Sequence, residues 1–317
     1  MGLLQTLVNG IVLGGLYSCL AVGFSLVWGV LNVINMLHGS LIILGGYLTF
    51  FAWHSYGIHP FVALPVVALL LYFIGYATQF LVINRVINQP VLTTLTLTFG
   101  LDLILYNFMT VYYSATPRRI TLDLGAIDLG GIAIPVDRLL GMVLALGLTG
   151  ILYLVMRRSR IGRAIVAVRM DSAAAALMGI KVDRIYAITF GIGALMAGVT
   201  GVIFAMVYPV TTNLSTTYLG KAFVVCIIGG LGSVPGALVG GIVLGIIESF
   251  AGQAFGPQHA LTVGFLLMLV LLVVRPTGLL GRAAPTRLTG TGPPNEGLWV
   301  GFTVRSICSP GRTTLLA

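Results

Sequence analysis

The 317-residue sequence predicts an all-α fold: a polytopic transmembrane helical bundle of about eight spans with broken or half helices. Three observations carry that prediction. Hydrophobic residues make up 58% of the chain and charged residues 8%, where a soluble domain has about 25% charged. So few charges could not cover a globule of this size in water. Apolar segments approaching the ~20 residues needed to cross a bilayer recur along nearly the whole length. Polar or Gly/Pro-rich stretches then cut into that apolar material at two places.

Taken in order, the first segment is Leu4–Val30. No basic residue precedes it and Arg85 is the first charge in the chain, so it reads as a span and not as a cleaved signal. The polar stretch Asn32-Val33-Ile34-Asn35-Met36-Leu37-His38-Gly39-Ser40 separates it from a second, Gly-rich segment, Leu41–Trp53. Phe61–Ile83, Val91–Tyr113, Leu139–Met156 and Ile185–Val210 follow as spans. After the sixth comes another polar stretch, residues 211–217, and then Tyr218–Pro235, whose apolar run Ala222–Ile228 is too short to cross alone. It runs into Gly229-Gly230-Leu231-Gly232-Ser233-Val234-Pro235-Gly236, and glycines with a proline unwind a helix, so a half-helix is expected there. Ala237–Phe250 and Leu261–Val274 complete eight spans, or nine elements if the half-helix crosses. Polar interruptions at corresponding places in two halves point to a transport site. Most of the 42 glycines are expected to let helix backbones approach closely in lipid. Residues 1–282 form one membrane domain; residues 283–317, rich in Gly, Pro, Thr and Arg without apolar periodicity, read as a disordered tail.

The net charge of +9 could suggest nucleic acid, but its placement argues topology instead. The loop 157–184 holds Arg157, Arg158, Arg160, Arg163, Arg169, Lys181 and Arg184 against Asp171 and Asp183, and is expected to be cytoplasmic, with Arg85 and Arg275. Five spans precede it, which puts the N-terminus and the loop 114–138 outside. Returning inside at Arg275 requires the 218–232 element to cross. Within the basic loop, Arg160-Ile161-Gly162-Arg163-Ala164 leads to Asp171-Ser172-Ala173-Ala174-Ala175-Ala176-Leu177-Met178-Gly179. Alanine favours helix, Asp171 suits its N-cap and Gly179 its end. A short helix with a smooth face suits docking into a partner's groove; the plainer reading is an ordinary basic loop.

Ionisable groups in apolar spans are costly and are functional candidates by default. Asp102 either bonds across helices or lines a path. Glu248, near the end of its segment, is expected to reach the interface, and Lys221 to lie near the headgroups or at a cavity mouth. His38 is read first as a hydrogen bond at a helix turn and second as a proton carrier; Asn32 and Asn35 are cap residues or cavity lining. Cys19 and Cys226 read as small packing residues. The scattered His, Cys and carboxylates form no catalytic or metal-binding pattern. Gly220-Lys221-Ala222 lacks the upstream glycine and the Ser/Thr of a phosphate-binding loop, so no nucleotide site is expected in this chain.

The chain resembles the permease subunits of the branched-chain amino acid ABC importer family. Asn32-x-x-Asn35-Met36-x-His38-Gly39, Gly162-Arg163-Ala164, Gly179-Ile180, Leu219-Gly220-Lys221-Ala222-Phe223, the Gly229–Ala237 cluster and Val274-Arg275-Pro276-Thr277-Gly278-Leu279 carry the resemblance, which covers residues 1–282. Ala174, Ala175 and Gly179 look like the Ala-Ala-x-x-x-Gly core of the family's coupling helix, although Ala173 replaces its usual acidic residue. The resemblance implies an inner-membrane subunit of an ATP-driven bacterial importer of hydrophobic amino acids, working by alternating access. It implies two separate ATPase subunits that use the ATP, a second related permease, a periplasmic binding protein, and no cofactor on this chain. The ATPase-coupling residues would be Arg160, Gly162, Arg163, Asp171, Ala174, Ala175 and Gly179. The translocation path would draw on Asn32, Asn35, His38, Asp102, Thr212, Asn213, Lys221, Gly229 and Gly230. Rival readings are a urea or short-amide permease of the same family, another amino acid as substrate, and a channel or ion-coupled secondary transporter.

Overall fold

A computed structural model describes residues 2–280 except 88, 115, 122–124, 130, 131 and 276; the expected disordered tail lies outside the described residues. The helices are α1 (Gly2–Leu31), α2 (His38–Tyr56), α3 (Pro60–Leu81), α4 (Val91–Tyr113), α5 (Val136–Arg158), α6 (Arg160–Met170), α7 (Ser172–Leu177), α8 (Val182–Val207), α9 (Ser215–Gly229), α10 (Val234–Phe255) and α11 (Pro257–Val274). The segment read from sequence as a loop between the fourth and fifth spans also holds an antiparallel hairpin, β1 (Ala126–Leu129) and β2 (Ile132–Pro135). Among the described residues seven helices are long and apolar enough to cross a membrane: α1, α3, α4, α5, α8, α10 and α11. The second and seventh of the nine elements expected from sequence, α2 and α9, fall outside that set.

α1 and α8 form the centre and are buried along almost their whole apolar length, whereas α4 and α11 stand at the rim. Glycine decides the packing. α1 runs antiparallel to α10, and a Cβ built on Gly14 would lie 2.5 Å from the Ile242 Cα. The same contact continues from Gly10 against Ile246 to Gly29 against Gly232 at the other end. In lipid, helices gain nothing from hiding apolar surface from water, so this backbone proximity and its dispersion contacts hold the pair. α8 runs antiparallel to α3 in the same manner, with Gly75 against Ala194 and Gly198 against Leu71.

These two pairs are equivalent. α1 packs along α10 as α8 packs along α3; α2 packs on α8 as α9 packs on α1; α2 meets α4 as α9 meets α11. The helices α1–α4 and α8–α11 are therefore inverted copies of one arrangement, and the two polar interruptions seen in the sequence occupy its corresponding breaks. One face of the bundle gathers Arg85, the basic 157–184 segment and Arg275: Asn84, beside Arg85, donates to the Asp183 carbonyl, Arg169 of α6 reaches Gly232, and Leu279 N–H bonds the Ile228 carbonyl. The opposite face is marked by the end of α8, where Val210 pairs with Arg118.

Candidate functional site

The two breaks bring the starts of two short helices together inside the bundle. Asn32 ends α1 in a left-handed conformation (φ +53°), its N–H bonded to the Trp28 carbonyl at 2.9 Å, a helix-terminating role for which Asn is suited. The chain then turns back, and α2 begins at His38. The His38 Nε2 lies 3.0 Å from the Leu20 carbonyl oxygen and the ring meets Phe24 edge-on. Leu20 is three turns before the end of α1, so α2 starts ~16 Å below that end, well inside the bundle. The second break mirrors the first. From Val210 the chain passes through a 3-10 turn, Thr212–Leu214, and α9 begins at Ser215. A Cβ on Gly39 would come 2.2 Å from the Ser215 carbonyl oxygen, so only glycine lets the two first turns abut. Both N-cap residues are leucines, Leu37 and Leu214, and neither supplies a side-chain cap.

Polar side chains collect there without partners. Asn35 is 1% exposed and both of its amide atoms are unpaired; the Thr212 hydroxyl, fully buried, is unpaired, and so is His38 Nδ1. α4 crosses this junction with one face. The Thr98 hydroxyl donates to the Ile34 carbonyl at 2.9 Å, Ser40 donates to the Asp102 carboxylate at 2.5 Å, and Tyr106 donates to the Asn213 side-chain oxygen at 2.9 Å. Thr98, Asp102 and Tyr106 are one helical turn apart, so a single stripe of α4 touches both breaks.

Beside the junction lies a buried ion pair. Lys221 of α9 meets Glu248 of α10 at 2.8 Å, and the Tyr17 hydroxyl of α1 donates to the same carboxylate oxygen at 2.6 Å. Lys221 also donates to Tyr17. The Lys221 and Glu248 side chains are 14% and 5% exposed. Sequence placed Glu248 toward the interface and Lys221 near the headgroups or at a cavity mouth; in the structure the two side chains are instead turned into the bundle and paired with each other. Each finds a partner across the bundle, which costs less than leaving either charge buried alone.

At the basic face, Ser159 caps α6 by accepting from Gly162 N–H, and a Cβ on Gly162 would strike the Met156 carbonyl at 2.3 Å. Arg163 donates to the Arg158 carbonyl. Asp171 caps α7, accepting from Ala173 and Ala174 N–H at 2.9 and 3.0 Å, and Gly179 ends it at φ +81°, as the sequence suggested. Ala175 faces the bundle and Ala174 faces out, while Met170, Leu177 and Met178 are 83%, 89% and 83% exposed. The Arg169 guanidinium donates to the Gly232 carbonyl at 2.7 Å, tying α6 to the turn between α9 and α10. Gly232 holds φ +77°, against Gly29 of α1.

The expected site residues thus fall into separate groups. Asn35, His38, Thr212, Asn213 and Asp102 come together; Asn32 is an exposed turn at the basic face, and Gly229 and Gly230 form the tight start of the α9–α10 turn. Lys221 belongs to the ion pair. Sequence reasoning missed Thr98, Tyr106, Ser40 and Tyr17. The one available signal was the four-residue spacing of Thr94, Thr98, Asp102 and Tyr106, a polar stripe on an otherwise apolar helix.

Comparison with known proteins agrees with the expected family. The sequence profile described as "Branched-chain amino acid transport system / permease component" matches residues 6–274. The chain is 33% identical over 299 residues to the high-affinity branched-chain amino acid transport system permease protein BraD of Pseudomonas aeruginosa, covering 88% of this chain and 96% of that one. It is 32% identical over 297 residues to the corresponding LivH of Escherichia coli, with the same coverage. It is also 26% identical over 296 residues to the permease protein LivM of Escherichia coli, covering 85% of this chain and 69% of that one.

Proposed function

The chain belongs to the family of branched-chain amino acid transport permease components, and from that premise we propose that it is one membrane subunit of an ATP-driven importer of branched-chain amino acids. The substrate follows from the names of BraD and LivH, with which it aligns over 88% of this chain and 96% of theirs. Similarity to both LivH and LivM supports a pair of related permeases around one path. The basic face is cytoplasmic in this reading, the N-terminus outside, and the membrane the bacterial inner membrane. Two ATPase subunits dock on the basic face, and a periplasmic binding protein delivers substrate to the other.

One observation carries the coupling. The exposed side chains Met170, Leu177 and Met178 would be seated in the ATPases, and Arg169 on the adjoining helix holds the Gly232 carbonyl at the foot of α9. ATPase closure then displaces α6 and α7, and the displacement passes through the Gly230–Ser233 turn to the half-helix α9 and its abutment with α2. Parting that abutment opens the junction toward one face; restoring it opens the other.

The test is to introduce Leu177→Glu and Met178→Glu together and to measure co-purification of the ATPase subunits and leucine uptake in proteoliposomes. Two charges placed at an apolar contact should abolish both, while the permease itself remains folded, because neither side chain packs inside it. Full uptake by the double variant would rule out docking through α7. Uptake by the isolated chain in ATP-free liposomes would instead favour an ion-coupled carrier.

A further inference from the structure

We propose that the junction of α2 and α9 is a binding site for the zwitterionic head of an amino acid, its carboxylate at the two helix starts beside Asn35 and Thr212 and its ammonium on Asp102. The assignment rests on the amino-acid reading above and names the place in this chain where such a substrate would be held.

Four features carry it. The start of a helix bears partial positive charge, and here two such starts abut inside the bundle with no side chain capping either, the first N–H of each bonded only to its own preceding turn, His38 to the Asn35 carbonyl and Ser215 to the Thr212 carbonyl. Second, Asn35 and Thr212 each stand three residues before the helix they precede, in matching register of the two inverted halves. Each is buried with its polar atoms unpaired. Burying an unpaired amide and an unpaired hydroxyl is unfavourable, and one at each break is more than a packing accident would place there.

Third, Asp102 is half-buried in a span, and among the described residues no Lys, Arg or His side chain forms an ion pair with it. It accepts a hydrogen bond from the Ser40 hydroxyl, in the first turn of α2, so an anionic group and a cation-like helix start stand side by side. A zwitterion offers the two charges that match this pairing, and beyond the Ser40 hydroxyl no cationic side chain among the described residues compensates the carboxylate. Fourth, the α4 stripe closes the junction by one hydrogen bond to each break and one to α2. α4 is a rim helix with little of its surface buried, so it can move away from the junction without dismantling the glycine-packed centre.

The experiment uses the complete transporter, this chain with its partner permease, ATPases and binding protein, reconstituted in proteoliposomes. Labelled leucine taken up and ATP hydrolysed are measured together for Asp102→Asn, Asp102→Glu, Asn35→Ala and Thr212→Val. Leucine transported per ATP should fall at least ten-fold in Asp102→Asn, recover in part in Asp102→Glu, and fall several-fold in Asn35→Ala and Thr212→Val. A structural role alone would lower uptake and hydrolysis together and leave the ratio unmoved. Thr212→Val is close to isosteric and removes an unpaired hydroxyl, so it keeps the test decisive where an Asp102 variant does not assemble. An unchanged ratio in Thr212→Val and in every assembled variant overturns the site and leaves the transport reading intact. Absence of leucine uptake by the unsubstituted transporter overturns that reading and the site with it.

Discussion

Replacing Lys221 with methionine would leave the Glu248 carboxylate, 5% exposed, without its cation and with Tyr17 as the remaining hydrogen-bond partner. At 2.8 Å and an effective dielectric constant of ~20, the pair's gross attraction is about 6 kcal/mol. Desolvating both groups offsets much of that, so the pair itself adds little net stability. Removing one partner is another matter, because the surviving charge stays buried, and the usual cost is about 3–5 kcal/mol. Lys221→Met should therefore lower the apparent Tm of the detergent-purified chain by about 6–20 °C, taking about 2–4 °C per kcal/mol. Adding Glu248→Gln removes the stranded charge while keeping an oxygen that accepts from the Tyr17 hydroxyl, so the double variant should regain most of the loss. Thermal unfolding followed by tryptophan fluorescence measures all three proteins, and the double-mutant cycle isolates the coupling between the two side chains. If Lys221→Met melted with the unsubstituted protein, or if Glu248→Gln brought no recovery, the two groups would not be a buried ion pair and the reasoning would fail.

Two further outcomes are expected. Arg169→Ala removes a charge-assisted hydrogen bond of 2.7 Å to the Gly232 carbonyl, worth about 1.5–3 kcal/mol, and should reduce leucine uptake per ATP hydrolysed about ten-fold or more in the reconstituted transporter; unchanged coupling would exclude this tie from the transmission route. Gly201→Ala places a methyl group 2.1 Å from the Ile42 carbonyl oxygen and 2.7 Å from the Gly46 nitrogen, so α2 and α8 must separate. A cost of about 1–3 kcal/mol or more should appear as a lower Tm and a lower yield of monodisperse protein, whereas a normal Tm would show that the two helices are not in backbone contact.

Some of the site was legible because its causes are local. Asp171 before an alanine run and Gly179 after it specify a capped, terminated helix within nine residues, and the structure has that helix. The Gly229–Gly236 cluster announces a break because glycine and proline act on their own backbone. Asn32 and Asn35, three residues apart and chemically identical, could not be told apart in this way. One ends α1 on the surface and the other is buried unpaired at the junction, and nothing in the local sequence separates an exposed turn from a buried one. Glu248 misled for a related reason. Its distance from the end of an apolar segment suggested the interface, but its partners lie 27 and 231 residues away along the chain.

What the sequence by itself determined is the membrane bundle, the approximate position of each span and the two places where helices must stop. Hydropathy and backbone chemistry act residue by residue, and they need no knowledge of neighbours. Only the tertiary structure decided how deep those stops lie, that the two half-helices meet start to start, and that one stripe of α4 covers them both. Those features depend on how closely glycine lets backbones approach between segments far apart in the chain, as at Gly39 against Ser215 and Gly14 against Ile242. An inverted arrangement of two halves puts both helix starts inside the bundle, where charge and unpaired polar groups have their greatest effect because water is excluded.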